Sequence, residues 1–201
     1  HPRGFYRRFL AEGAESGFFD TYLGFANPNP GVARVLARFT NTSGVTTLQP
    51  TFIPAMAHSR MHTDAAVFGV GQTYSEFSTE VESDQPIVVE RTMRWDGSRY
   101  GAHAEAAVPS SSPVWHFAEG ATTAFNLFYC IQNPNAVAVT VNATYQLTSG
   151  QPVQRAYQIP AQSRVTVWMN DPGQLPNAEF GATFTTQGGY GVVVERAMYL
   201  D

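Results

Sequence analysis

Lysine is missing altogether: every one of the 12 basic residues in this 201-residue chain is an arginine. Against 16 acidic residues this gives a formal charge of −4, which leaves no basic footprint for nucleic acid and no polybasic patch for a membrane surface. The absence of Lys beside abundant Ala, Pro, Gly and Val reads as a G+C-rich coding bias. It is not a thermophile signal, which runs toward Lys and Glu. A single cysteine, Cys130, excludes an internal disulfide framework and is neutral about compartment. No apolar run approaches the roughly 18 residues needed to span a bilayer, so membrane insertion is not expected. Catalytic signatures are lacking too: there is no Gly-x-Ser-x-Gly, no His-Glu-x-x-His, no phosphate loop and no paired Cys motif. Gly69-Val70-Gly71 alone carries no meaning. The expectation is a protein that is not an enzyme and takes no cofactor. The chain begins at His1 without an apolar leader, so the expectation is a removed signal segment or a longer parent protein.

What is present is a repeat. The stretch Ile87-Val88-Val89-Glu90-Arg91-Thr92-Met93-Arg94-Trp95 returns as Val192-Val193-Val194-Glu195-Arg196-Ala197-Met198-Tyr199-Leu200, with Glu90 and Glu195 separated by 105 residues. Phe9-Leu10-Ala11-Glu12-Gly13-Ala14 is answered by His116-Phe117-Ala118-Glu119-Gly120-Ala121, and Asn27-Pro28-Asn29 by Asn133-Pro134-Asn135. Hydrophobic content of 43% is enough to bury a core in each half. Charge is shared unequally: residues 1–113 carry 9 Arg and 11 acidic residues, and residues 114–201 carry 3 and 5.

Between the repeated motifs the pattern is strand and turn. Phe19, Thr21, Leu23 and Phe25 alternate onto one face, as do Phe125, Leu127, Tyr129 and Ile131, which marks strands with one face in a core. Asn-Pro-Asn marks a loop in each half, since Asn tolerates turn conformations and Pro cannot continue a ladder. Gly, Pro or Asn signals recur every 8–12 residues with no helical periodicity, as in antiparallel β-sandwiches. The expected fold is all-β: two tandem antiparallel β-sandwich, immunoglobulin-like domains of about seven to eight strands each. The expected organisation is an N-terminal arm over 1–8, a first sandwich over 9–108, a linker over 109–113 and a second sandwich over 114–201. Repeat one continues past Trp95 into a further segment, Tyr100 to Val108, that repeat two does not have. If that segment is a strand, the second sandwich has an unpaired edge along 114–201, to be filled either by a strand lying just beyond Asp201 or by another subunit, since such edges recruit other strands. The expected assembly edge comprises Val194, Met198 and Leu200, with the arm around Phe5, Tyr6 and Phe9 of the next subunit as its occupant.

The order Trp-x-Phe-Ala-Glu-Gly, Asn-Pro, Ile-Pro-Ala-x-Ser-Arg, Val-Val-Glu-Arg-x-Met-Tyr occurs here at Trp115–Gly120, Asn133–Pro134, Ile159–Arg164 and Val193–Tyr199. It resembles a module found in tandem in large secreted or cell-surface bacterial proteins. Repeat one departs from it at Asp64 and by an insertion at Met56-Ala57-His58, with Ser59-Arg60 as the expected counterpart of Ser163-Arg164 at the start of a strand. The resemblance covers nearly all of Phe9 to Asp201. It implies architecture and an extracellular or cell-surface location, and no catalytic residues.

Within the Val-Glu-Arg strand, alternation places Ile87, Val89, Arg91, Met93 and Trp95 on the core face. The same rule places Val192, Val194, Arg196, Met198 and Leu200 there. A buried guanidinium needs a carboxylate, and the recurring candidates are Glu12 for Arg91 and Glu119 for Arg196. These are expected as structural ion pairs. His58 and His62 stand four apart, a metal spacing on a helix that loses its meaning on a strand. Asp20, Asp64 and Asp84 lie in no Asp-x-Asp-x-Asp-Gly loop, so no metal is expected. Trp95, Tyr100 and Trp115 are a possible sugar platform, because exposed aromatic rings stack on sugars. The leading reading is a non-catalytic structural subunit of an extracellular or cell-surface bacterial assembly, a filament or layer, whose partners are copies of itself. The alternative is a carbohydrate-binding or adhesive accessory module of a larger secreted protein, with a polysaccharide as its partner.

Overall fold

A computed structural model of the chain describes residues 5–64, 74–95 and 101–200. The fold is all-β, with antiparallel pairing throughout and, among the described residues, no α-helix. The chain divides into two compact units. One runs from His1 to Ser110 apart from the turn Thr42–Gly44, and the other begins at Ser111.

In the first unit, β1 (Tyr6–Leu10), β2 (Ala14–Ser16), β4 (Ala33–Asn41), β5 (Thr46–Ile53) and β7 (Tyr74–Ser83) form one sheet in the order β1-β7-β4-β5, with β2 also on β7. The facing sheet is β6 (Ala57–His62), β3 (Asp20–Asn27), β8 (Val88–Trp95) and β9 (Gly101–Ala106), in that order. Alternation builds the core between them: Leu23 and Phe25 of β3 and Val89 of β8 meet Val35, Ala37 and Phe39 of β4 and Phe77 and Val81 of β7. Each such side chain contributes about 1.5–3 kcal/mol by leaving water. Pro50 lies in β5, at the sheet edge, where the missing N–H breaks no ladder bond.

The second unit repeats the plan. One sheet is β10 (Val114–Phe117), β15 (Phe180–Thr186), β12 (Val139–Leu147) and β13 (Val153–Ile159); the other is β14 (Ser163–Trp168), β11 (Phe125–Asn133) and β16 (Val193–Leu200). Its core is built on Leu127, Tyr129 and Ile131 of β11 against Val141, Ala143 and Tyr145 of β12 and Phe184 of β15.

Two sequence expectations need correction. Tyr6, Arg7 and Arg8 are not part of a free arm. They open β1 and pair residue for residue with Ser83, Glu82 and Val81 of β7, and Arg7 reaches Glu82 at 3.0 Å. Phe9 is core, 4% exposed, and exchanges backbone hydrogen bonds with Val108. Tyr6 and Phe9 are therefore not available as a donor strand for another subunit, because they are already laddered into their own sheet, which leaves only Phe5, exposed just before β1. The second correction concerns Ser59-Arg60, which is not the counterpart of Ser163-Arg164. Asn27 pairs with Ala57 in one unit and Asn133 with Ser163 in the other, so Ala57 and Ser163 are equivalent. Met56 and Gln162, just before them, share a left-handed backbone with φ of 51° and 46°. There is accordingly no insertion at Met56-Ala57-His58; shared residue letters had shifted the alignment by two.

The Asn-Pro-Asn loops are more than turns. Asn27 is buried, and its amide donates to the carbonyls of Gly31 (2.8 Å), Ile53 (3.1 Å) and Pro54 (3.0 Å). Its Oδ1 accepts from the backbone and side-chain nitrogens of Asn29 at 3.0 and 2.7 Å. Asn133 repeats the set on Val137, Ile159, Pro160 and Asn135. Each clasp thereby ties β3 or β11 to the end of β5 or β13 in the facing sheet and satisfies one buried carbonyl, that of Ile53 or Ile159, along with two half-buried ones.

Candidate functional site

The two units differ most along the Val-Glu-Arg strand. In the first, β9 runs beside β8 from Glu90↔Ala106 to Trp95↔Gly101. In the second, β16 pairs with β11 alone, and among the described residues no strand lies along its other edge. That edge can be oriented from one contact. Val192 and Ser112 exchange backbone hydrogen bonds of 3.0 and 2.9 Å, so the N–H and C=O of Val192 face away from β11. In-plane direction alternates residue by residue along a strand. The backbone groups of Val194, Arg196 and Met198 consequently point to the open edge too. In the covered unit the equivalent Val89 accepts a backbone bond from Ala107 at 2.9 Å. Val194 is core, Met198 packs against it half-buried, and Leu200 is 70% exposed.

The arginines of the two strands differ in step with this cover. Arg91 is 2% exposed, and its Nη2 lies 2.7 Å from Glu12 Oε2 while Nη1 donates to the Glu12 carbonyl at 2.6 Å. β9 closes over this pair by bringing His103 Nε2 to 3.4 Å from Glu12 Oε2. Arg196, on the uncovered strand, is only half-buried, and Glu119 is exposed. Arg196 donates to the backbone carbonyl of Glu119, not to its carboxylate. The expected pairing by carboxylate thus fails in repeat two, because without a covering strand water solvates both charges and no carboxylate contact is needed.

Two rings of the possible sugar platform, Trp95 and Trp115, lie within the described residues. Trp95 is half-buried, edge-on to His103 at 5.5 Å, with Gly101 so close that a side chain there would strike the indole. Trp115 packs against the core of the second unit and donates its indole N–H to the Val192 carbonyl at 2.9 Å. Both rings are engaged in packing. Tyr100 lies outside the described residues, as do Gly69-Val70-Gly71 and most of the loop after Asp64. A different concavity, of about 360 Å³, lies on the outer face of β6, β3 and β8. Tyr22, Gly24, Ala26, Arg60, Glu90 and Arg94 are among the residues that line it. The Arg60 guanidinium sits 3.5 Å over the Tyr22 ring, so that ring face is already occupied.

At the end of β6, sequence reasoning missed a grouping. His62 Nε2 lies 2.6 Å from Asp20 Oδ1 and 3.8 Å from Glu15 Oε1, and its Nδ1 lies 3.4 Å from Asp64 Oδ2. Glu15 reaches the group through a tight turn in which Ser16 Oγ accepts from the N–H groups of Phe18 and Phe19. Burial raises the Glu15 carboxyl above the ordinary carboxylate range, against hydrogen bonds from Thr21 and Thr63 and the attraction of His62. His58, the partner that spacing suggested for His62, pairs with Ala26 instead and lines the concavity.

No protein-family model matches the chain, and no curated protein matches it. Among solved structures the chain is similar to Thermotoga maritima 1070, with 15% identity and a TM-score of 0.46 over 54% of this chain and 97% of that one. It is also similar to the Anabaena sensory rhodopsin transducer, with 23% identity and a TM-score of 0.38 over 43% of this chain and 95% of that one. Likenesses this weak say nothing of what the chain does.

Proposed function

We propose that the chain is a non-catalytic structural subunit that joins copies of itself by strand addition along β16, in an extracellular or cell-surface bacterial assembly. One observation carries the reading: β8 is covered by β9, whereas its repeat β16 presents the outward N–H and C=O groups of Val194, Arg196 and Met198 with no strand beside them among the described residues. Unpaired backbone of this kind is a template for another strand. No Lys guards the edge, and none of Val193–Leu200 is proline. The setting rests on the resemblance of the repeated motifs to secreted tandem modules. A strand seated here would also shield Arg196 as β9 shields Arg91.

Light scattering and negative-stain microscopy of the purified protein test this. Multimers are expected, and Met198→Pro, which removes an outward N–H, should reduce them while circular dichroism still reports a folded protein. A synthetic peptide of Gly101–Val108 should compete for the edge. A chain that stays monomeric at high concentration and ignores the peptide would overturn the reading. A second reading, a carbohydrate-binding module, is favoured only by the concavity around Tyr22 and Arg60, and retardation on polysaccharide gels, abolished by Arg60→Ala, would support it.

A further inference from the structure

The group around His62 belongs wholly to the first unit and is independent of the β16 edge. We propose that Glu15, Asp20 and His62 form a binding site for a divalent transition-metal ion of the zinc type. Glu15 Oε1, Asp20 Oδ1 and His62 Nε2 converge, with all three ligand atoms within 4.8 Å of one another. Ligand atoms around a tetrahedral zinc stand about 3.3 Å apart, given bonds of roughly 2.0–2.2 Å. The pairs at 2.6 and 3.8 Å bracket that value, so small side-chain rotations bring them to it.

The surroundings orient each ligand. Asp64 Oδ2 faces the far nitrogen of His62 at 3.4 Å, the outer carboxylate that fixes the tautomer and turns Nε2 toward a metal. Glu15 Oε2 accepts from the Thr21 N–H and the Thr63 hydroxyl, both at 3.1 Å, which leaves Oε1 directed at His62. His62 is stacked on Tyr22 with ring centroids 4.5 Å apart. An imidazole with carboxylates selects zinc and its neighbours over calcium or magnesium, which favour all-oxygen sets.

The second unit supplies an internal control. By strand register His62 corresponds to Trp168, and Asp20 to Asn126. Glu15 corresponds to Thr122, since Gly13 and Gly120 hold Phe77 and Phe180 through the same backbone bond. Trp168 Nε1 donates to Asn126 Oδ1 at 3.3 Å, so a neutral pair spans the same two strands. The fold therefore closes this corner without any titratable group, and all three ligand types are particular to repeat one.

Isothermal titration of chelator-treated full-length protein with Zn²⁺, Ca²⁺ and Mg²⁺, together with the visible absorption of Co²⁺-loaded protein, tests the assignment. One equivalent of Zn²⁺ per chain is expected to bind, with Co²⁺ bands of a low-coordinate nitrogen and oxygen site. Glu15→Gln should weaken Zn²⁺ binding at least tenfold. The double variant Asp20→Asn with His62→Trp, which copies the pair of the second unit, should abolish it while circular dichroism stays native. Absence of Zn²⁺ binding would mean a structural ion pair only and would overturn the proposal. Unchanged Zn²⁺ binding in the double variant, or Ca²⁺ binding as tight as Zn²⁺, would overturn it equally.

Discussion

Replacing Glu12 by Gln removes the carboxylate 2.7 Å from the Arg91 guanidinium, at a place where both side chains are almost wholly buried. The gross attraction at that distance is on the order of 6 kcal/mol at an effective dielectric constant near 20. Part of it only offsets the desolvation of the two ions, so the pair adds little net stability. Breaking it by removing one partner is another matter and costs about 3–5 kcal/mol. The same change at Glu119 should cost no more than about 0.5 kcal/mol. Glu119 is exposed, and Arg196 bonds its backbone carbonyl, which the substitution leaves intact. Hydrogen exchange followed by mass spectrometry reads the two units separately. Glu12→Gln should speed exchange in the slowest peptides of the first unit by about two to three and a half powers of ten. Glu119→Gln should leave both units close to wild type. Equal effects at the two positions, or a loss below about 1 kcal/mol at Glu12, would refute the idea that β9 creates the difference by excluding water.

Two further outcomes follow from the cores and clasps. Asn27→Ala and Asn133→Ala should each destabilise their own unit by about 2–4 kcal/mol, because one buried and two half-buried carbonyls lose their donor; thermal melts should show alike penalties, in contrast to the Glu12 and Glu119 pair. The second unit should also be the alkali-sensitive one. Burial pushes the phenols of Tyr129, Tyr145 and Tyr157 up, whereas among the described residues no tyrosine belongs to the core of the first. Above about pH 10 the unfolded chain loses these protons and the native chain keeps them, so stability falls as pH rises, by up to ~4 kcal/mol per pH unit for three phenols. The share of tyrosinate absorbance that belongs to these three of the nine tyrosines should then appear only together with unfolding of that unit.

How far the sequence could be read depended on the range of the interaction. The inward Arg91 and its partner Glu12 were legible because alternation fixes a strand's faces and a buried cation demands an anion. Arg196 and Glu119 were not, since their exposure depends on β9, which has no counterpart among the described residues of the second unit. The Asn-Pro-Asn loops could be placed, yet the buried amide reaching Ile53 and Pro54 could not be inferred from turn propensity alone. Its recurrence in both halves was the available signal. Identical Ser-Arg letters misled the alignment, while the left-handed pair Met56 and Gln162, invisible as letters, marks the true equivalence. The His62 group brings together residues 42 positions apart, and no local pattern announces such a meeting.

The open edge of β16 also restricts symmetry. If two chains pair β16 against β16, the contact is isologous: a two-fold axis relates the copies and growth ends at the dimer. If the strand laid on β16 comes from any other element, the contact is heterologous, and each added chain presents the same edge again. Such an assembly has a direction and stops only where its rotation closes a ring. Whether β16 meets itself or something else thus decides between a closed pair and a polar array.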